Sequence, residues 1–549
     1  MFESGLTPLA PVLILMLGAA ITKIAARFRP SRERDALALL MAGGAFVSTL
    51  LLTYQPASHV VISPWHPLTL FESQLAYTTE GLAAPFALLT SLVCLAIVIS
   101  LSRWQRETDD NGESPLCPAV FVVSAAGLSF IYAANLITLC LSWAFLDLSL
   151  MFLVVGRGRN QAASDAQGRA LTMSSLIGLS LVVAVLLLDG QGLNPALAPS
   201  LLLVAALVRA SFYPMHFWML TAAEVEPSAN TLLQITSITS GLALLTRLQE
   251  FSPQGLPHQS QLVTISSLAL LATALCAWAE QDRRQAISCI AINQVALAVL
   301  SVAVVGLQAK SSLPWSAISL ALCLSLLSLW SPEPARVGRY VLWLRAPTGL
   351  AIASLMGLPF TMGFVGRTAL YRSLFALGQP YLWGLSMVAD VVLFAALFRI
   401  GADLLQFSNL QSPISLWVPH LAGVVILAAP LVLLGIHPPL ASFASDMELP
   451  AAGELIGRVD IALWAVLLLP LVGGYLLHRG QKAILERSAA FWKGLAALLR
   501  LDWLYRWLWR VGRGIGAVLR GLAQVTEGRG YLGWTLLLAL IAFLLLSSK

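Results

Sequence analysis

The sequence predicts an all-α polytopic membrane protein. About sixteen transmembrane helices are expected, with two Pro-broken helices in related five-helix halves and a C-terminal amphipathic interfacial segment. Three observations predict this class. Apolar residues make up 58% of the 549 residues and charged residues only 11%, against roughly 25% charged in an ordinary soluble domain. Mean hydropathy is +0.81. Apolar runs of about 20 residues recur along the whole chain. With 33 basic and 27 acidic residues, a chain of this size cannot cover a water-facing surface. A soluble enzyme, a nucleic-acid binder, a secreted disulfide scaffold and a disordered tail are excluded.

Taken in order, the predicted spans are 7–27, 36–54, 81–102, 117–134, 135–156, 169–189, 199–222 and 228–247. They continue as 261–280, 285–307, 313–330, 346–375, 381–402, 417–437, 459–478 and 531–547. The N-terminus lacks a basic n-region and a small-residue cleavage site, so the first span is expected to remain uncleaved. The domains read as 1–116 for helices one to three, 117–248 for a first five-helix repeat and 261–402 for a second. After them come two helices (417–478), an amphipathic segment (479–530) and a last transmembrane helix (531–549).

The connections set the orientation. The first carries Arg27, Arg29, Arg32 and Arg34, the third Arg103 and Arg106, and the fifth Arg157, Arg159 and Arg169. The eleventh carries Arg336, Arg339 and Arg345, whereas 55–80 and 190–198 hold no lysine or arginine. Odd connections are therefore expected in the cytoplasm, with both termini outside and the chain in the cell inner (plasma) membrane. Residues 479–529 hold ten basic and three acidic residues, interleaved with Leu499, Leu501, Trp503, Leu504, Trp507 and Leu508. Such a segment lies on the cytoplasmic membrane surface, or braces neighbours or docks a partner through Arg506, Arg510 and Arg513. Gly512, Gly514, Gly516 and Gly521 are expected to break it.

The six cysteines (Cys94, Cys117, Cys140, Cys276, Cys289 and Cys323) form no C-x-x-C pair. They read as small buried hydrophobes. The scattered histidines suggest no metal box, so no cofactor is expected in this chain.

Ionisable residues inside spans mark an ion path or a partner contact because each costs a few kcal/mol in hydrocarbon. Asp147 in span five and Arg209 in span seven sit at similar depth and suit a buried ion pair. A purely structural pair is the alternative. Span seven continues to Pro214, which frees a carbonyl for water, and to His216, read as two turns below Arg209 on one face. Span twelve repeats the interruption around Pro359, with Arg367 beyond it. Span thirteen carries Asp390 and Arg399. Asp282-Arg283-Arg284 opens span ten, a pattern that also suits a solvated helix start.

These residues resemble the antiporter-like subunits of respiratory complex I and the Mrp antiporters, particularly the subunit L branch. Asn135-Leu136 with Ser142-Trp143 is similar to that family's span five. Arg209 to Trp218 resembles its Lys-S-A-Q-F-P-L-H-x-W span seven, and Glu224 falls on the motif's later glutamate. Asp282 to Gln294 resembles D-x-K-R-x-x-A-x-S-x-x-x-Q, and Gly357 to Arg367 resembles G-x-P-x-x-x-G-F-x-x-K. The departures are as specific. The span-five glutamate is Ala144, with Asp147 one turn along. The lysine positions read Arg209, Arg284 and Arg367, and the span-eight histidine reads Gln234. Lysine can surrender a proton when buried; arginine keeps its charge. The resemblance thus implies an ion pathway through Asp147, Arg209, His216, Glu224, Arg284, Arg367 and Asp390, with arginines as fixed charges.

The departures make the chain most similar to the membrane subunits of two-component inorganic-carbon pumps. That resemblance implies a cation gradient, protons in the first instance, driving CO2 hydration to bicarbonate in a large cytoplasmic zinc protein resembling carbonic anhydrase. Zinc would belong to that partner; besides it the lipid bilayer is the expected partner, and no nucleic acid. The alternative is a proton-translocating L-type subunit of a complex I or hydrogenase-like NADH-quinone oxidoreductase.

Overall fold

The computed structural model describes residues 7–28, 31–62, 74–80, 83–108, 116–154, parts of 168–187, 197–223, 225–251, 256–305, 312–329, 341–406, 418–443, 452–457 and 460–526. The chain forms two compact units, 1–489 and 490–549.

The first unit is a helical bundle, as the recurring apolar runs require. It begins with α1 (Leu9–Phe28), α2 (Ser31–Tyr54) and α3 (Ala83–Thr108). Two helices, α4 (Leu116–Tyr132) and α5 (Leu136–Val154), follow. Of the predicted sixth span, 169–189, residues 178–184 are described and helical. The seventh span is split into α6 (Ala198–Arg209) and α7 (Phe217–Ala222), after which α8 (Pro227–Phe251) closes the first repeat. The second repeat comprises α9 (Gln259–Ala279), α10 (Arg283–Val305) and α11 (Ser312–Leu329). Its broken helix is α12 (Val341–Met356) with α13 (Met362–Ala376), and α14 (Pro380–Gln406) ends it. Then come α15 (Val418–Ile436), a 3-10 turn (Pro438–Phe443), the short α16 (Ala452–Gly457) and α17 (Ile461–Arg487). Among the described residues, nine helices are long and apolar enough to cross a membrane, and the chain is a multi-pass membrane protein. The predicted last span, 531–547, lies outside the described residues.

Burial separates centre from rim. The apolar stretch of α10 is 100% buried, while that of α17 is only 28% buried. Hydrophobic side chains on the outer helices that face away from the protein suit lipid contact. The two repeats meet along α8 and α11. Within the first repeat, close packing depends on a small residue: a Cβ on Gly241 of α8 would run into the backbone of Ala210, just past α6.

The two repeats are closed in the same way. Arg247, late in α8, donates to the carbonyl oxygens of Ile131 and Ala133 at the end of α4. Arg399, late in α14, donates to those of Ala277 and Trp278 at the end of α9, at 3.0 Å each. Each repeat's fifth helix thus uses a guanidinium to satisfy the terminal carbonyls of its first helix. In the second repeat Gln481 of α17 adds a 2.9 Å bond to the carbonyl of Trp278.

The hydrophilic connection 55–80 contains a feature that a helix-by-helix reading omits. Strands β1 (His59–Ile62) and β2 (Leu75–Thr78) pair antiparallel, with His59 opposite Thr78. The hairpin sits on the start of α5: the Ala76 amide donates to Thr138 Oγ1 at 3.0 Å, and the Asn135 side chain donates to the Gln74 carbonyl. Asn135 also caps α5, its Oδ1 accepting the Thr138 amide at 2.9 Å.

The predicted amphipathic segment starts earlier than the second unit: residues 479–487 continue α17, and the second unit holds the rest. Its helices are α18 (Ala489–Leu499) and α19 (Asp502–Thr526). The break expected at the glycines is not there: α19 runs unbroken through Gly512, Gly514, Gly516 and Gly521. A helical glycine costs only about 1 kcal/mol relative to alanine, which does not by itself end a helix. The chain instead turns at Leu501, which has φ +60°, and restarts at Asp502, an acid in the first turn where it favours the helix dipole. Arg506, Arg510 and Arg513 recur every three or four residues on the other face of α19. The six cysteines are all unbridged; Cys140 is partly exposed and the other five are buried.

Candidate ion-pair sites at the two helix breaks

At the first break α6 ends at Arg209 and the chain leaves helical geometry. Ser211 sits at φ +61°, where a side-chain-bearing residue is strained. Bonds from the Ser211 amide and, at 3.5 Å, the Trp218 indole satisfy the carbonyl of Val208. Arg209 therefore lies in the last turn of a half-helix, where its positive charge meets the negative end of the helix dipole. It is 1% exposed and forms an ion pair with Asp147 of α5, itself 4% exposed.

Asp147 is held by three donors. Arg209 Nη1 reaches Oδ1, while Trp143 Nε1 at 3.0 Å and Ser175 Oγ at 2.9 Å reach Oδ2. Arg209 Nε donates to Ser240 Oγ on α8 at 3.2 Å, and its Cζ lies 4.9 Å from the centre of the Trp143 ring. Among the described residues its Nη2 has no hydrogen-bond partner. Trp143 thus both donates to the carboxylate and offers its face to the cation.

At the second break, α12 ends at Met356 and α13 begins at Met362, with Pro359 between them. Gly357 has φ +72° and Phe360 φ +64°. Glycine at 357 is also required for space, since a Cβ there would meet the Arg367 side chain. Arg367 is 2% exposed and pairs with Asp390 of α14. Its Nη2 donates back across the break to the carbonyl of Leu355 at 2.8 Å, and its Cζ lies 5.0 Å from the Phe394 ring centre. Tyr371 Oη donates to Asp390 Oδ2 at 2.8 Å, the same oxygen that Arg367 contacts. Beside Arg367 is a cavity lined by Gln294, Ser316, Ser319 and Ser354 among others. Its ≈ 20 Å³ of space for water centres is enough for a water molecule.

The structure brings together Asp147 with Arg209, and Arg367 with Asp390. The second pairing is not apparent in the sequence, where the two residues are simply ionisable positions on neighbouring helices. His216 is buried, but it does not share a helix face with Arg209. The helix ends at Arg209, so the 3.6-residue period stops there, and His216 precedes the first turn of α7, stacked on Tyr213 at 5.0 Å. Arg284 lies partly exposed in the first turn of α10, its amide donating to Asp282 Oδ1 at 3.2 Å. Neither His216 nor Arg284 belongs to the two described pairs. Glu224 lies outside the described residues. Tyr371, Ser175 and Ser240 were missed by motif reading because hydroxyls in apolar spans are common and carry no spacing signal. Polar contact between the repeats is made by Gln234, whose Nε2 donates to Ser288 Oγ on α10 at 3.0 Å.

Residues 133–331 match the family model described as NADH:quinone oxidoreductase/Mrp antiporter, TM. That stretch contains Asp147 and Arg209; Pro359, Arg367 and Asp390 lie beyond it. NADH-quinone oxidoreductase subunit N of Mycobacterium sp. (strain JLS) is 25% identical over 51% of this chain and 65% of that protein. NADH-ubiquinone oxidoreductase chain 5 of Pseudosoriculus fumidus is 22% identical over 47% of this chain and 46% of that protein. The chain therefore spans between about half and two thirds of these curated relatives. The structure of the Mrp complex from Dietzia sp. DQ12-45-1b matches 98% of this chain and 62% of its own with a TM-score of 0.76 at 20% identity, which establishes a shared fold. The chain is thus a multi-pass membrane protein similar to antiporter-like subunits in sequence around its first helix break, and with their fold throughout.

Proposed function

We propose that the chain is an antiporter-like, proton-translocating subunit of a multi-subunit membrane complex of the complex I or Mrp type. The observation that carries this reading is the pair of buried Arg–Asp sites, each built on a broken helix. Charges so deep in a bundle are costly to hold and mark ion pathways, and broken helices are how transporters bring polar backbone to mid-membrane. Arginine keeps its proton, so the arginines act here as fixed charges and protons pass between carboxylates and water. The neighbouring helix ends and hydroxyls supply the polar surroundings that such transfer needs. The basic odd-numbered connections favour a plasma-membrane chain with both termini outside.

The test is proton movement in membrane vesicles that carry the assembled complex. Arg209→Ala and Arg367→Ala should each lower it at least tenfold while the complex still assembles. Unaltered movement in an assembled Arg367→Ala complex refutes the reading.

A second reading is favoured by the arginines themselves. Three positions that resemble relay lysines are arginine, and two of these lie in ion pairs, so the chain departs from a lysine relay. This suits a membrane subunit of an inorganic-carbon (CO2/bicarbonate) uptake complex, with zinc held by a large cytoplasmic partner resembling carbonic anhydrase. Purification of the native complex separates the two readings: a single large zinc protein supports carbon uptake, and a set of quinone-oxidoreductase subunits supports the first.

A further inference from the structure

In α19 four arginines stand against one acid, Asp502. At 3.6 residues per turn its side chains sort onto two arcs. With Val511 as the middle of the apolar arc, Leu504, Trp507, Leu508 and Val518 all lie within about 60° of it. Arg506, Trp509, Arg513, Gly516 and Arg520 lie about 140–180° from it, and Arg510 about 100°. The apolar arc is uncovered: Trp507, Leu508, Val511 and Val518 are 53%, 43%, 40% and 64% exposed. A basic amphipathic helix of this kind lies in the bilayer interface with its apolar arc at the acyl boundary.

In that pose most of the arginines face away from the lipid. A helix with its side chains is about 10–12 Å across, and attraction to anionic lipid falls off within a Debye length, roughly 8 Å at physiological salt. The far arc therefore adds least to an anchor, and only Arg510, on the flank, is beside the headgroups. Arg506, Arg513 and Arg520 are exposed and recur every seven residues, which sets them about 10 Å apart in one row. Arg506 and Arg520 each turn Nε to the carbonyl one turn earlier, at 3.2 Å, leaving the Nη edge of each fork for a partner. Trp509, half-buried, shares this arc; arginine and tryptophan are the side chains that anchor protein interfaces, and an aromatic opposite the lipid does nothing for an anchor. Gly516 lies between Arg513 and Arg520. Among the described residues nothing is within 4 Å of where its Cβ would be, so contacts there give no reason for a residue that weakens the helix. Close approach of a second backbone does.

We infer that the far arc of α19 is a docking surface for an acidic protein: the row Arg506, Arg513 and Arg520, with Trp509 and Gly516, binds a partner subunit that presents Asp or Glu at about 10 Å intervals. The apolar arc rests on the bilayer and holds the row toward water. Each guanidinium fork meets a carboxylate with two parallel hydrogen bonds, a geometry that an ammonium does not offer. The inference rests on the multi-subunit part of the proposed function and not on proton movement.

The test uses the full chain in two settings. In bilayers of phosphatidylcholine and phosphatidylglycerol, with Cys140→Ser to spare the native thiol, a nitroxide on Val518→Cys should be relaxed by oxygen dissolved in the lipid. A nitroxide on Arg513→Cys should be relaxed by a water-soluble nickel chelate. Oxygen relaxation at 513 places the row on lipid and overturns the inference. In native membranes, a photo-cross-linker on Arg513→Cys identifies the subunit it faces. Arg513→Glu with Arg520→Glu should lower retention of that subunit at least about tenfold, and arginines in place of the cross-linked carboxylates should restore it. Gly516→Gln, which favours the helix, should lower retention without being rescued. Unchanged retention in the double glutamate variant overturns the inference, as does a chain that purifies alone. Should the double variant fail to accumulate, unchanged retention in Gly516→Gln overturns it. A docked complex that moves no protons refutes translocation and leaves the docking surface intact.

Discussion

Arg367, beyond the second helix break, donates to the carbonyl oxygen of Leu355 on the near side of it. The break removes the helical amide that would otherwise serve that carbonyl. One guanidinium therefore repairs the break and neutralises Asp390, which a single-point cation cannot do.

From this it follows that Arg367→Lys should be more than a conservative change. The ammonium can keep the ion pair or the carbonyl bond in good geometry, not both. A loss of about 1–3 kcal/mol is expected for the orphaned group, read as a lower melting temperature of the detergent-solubilised protein. An unchanged melting temperature would show that the fork is not needed.

For the first pair, removing one partner is worse than removing both. Arg209→Ala strands a buried carboxylate and should cost roughly 3–5 kcal/mol. Asp147→Asn combined with Arg209→Gln leaves two neutral amides that can bond to each other. Membrane levels of the double variant should exceed those of Arg209→Ala, without recovery of transport. Equal levels would show that the buried charge is not what Arg209→Ala disturbs.

Arg247 and Arg399 should behave alike despite lying 152 residues apart in the chain. Each alanine variant removes a donor from two helix-terminal carbonyls, at about 1–3 kcal/mol for each carbonyl left unsatisfied. Comparable drops in melting temperature are expected, with Arg399→Ala partly cushioned because Gln481 still serves Trp278. A large effect at one site with none at the other would refute the common closure of the repeats.

On α19, reversing Arg506, Arg510 and Arg513 to glutamate tests membrane or partner contact. If the basic face docks a partner, purification should lose the partner while the bundle stays folded. If it serves only as an anchor on anionic lipid, co-purification is unchanged and binding of the isolated chain to anionic vesicles falls.

The sequence by itself determined the placement of the spans that the structure describes. Fourteen of the sixteen coincide with described helices, because the bilayer demands about 20 apolar residues per crossing whatever the neighbours do. It also located both breaks, since Pro214 and Pro359 forbid a continuous helix locally. It marked Asp147 and Arg209 as buried charges with a shared depth. What it could not determine was partnership between residues distant in the chain. Arg367 meets Asp390, and Arg247 and Arg399 meet helix ends, only because helix packing rotates particular faces together. Likewise, the break that moves His216 off the face of Arg209, and the turn at Leu501 in place of the glycines, depend on which local conformations the surrounding contacts sustain. Hydropathy is a property of each residue and sums along the chain; a counter-charge is a property of two, and only the tertiary structure brings them within reach.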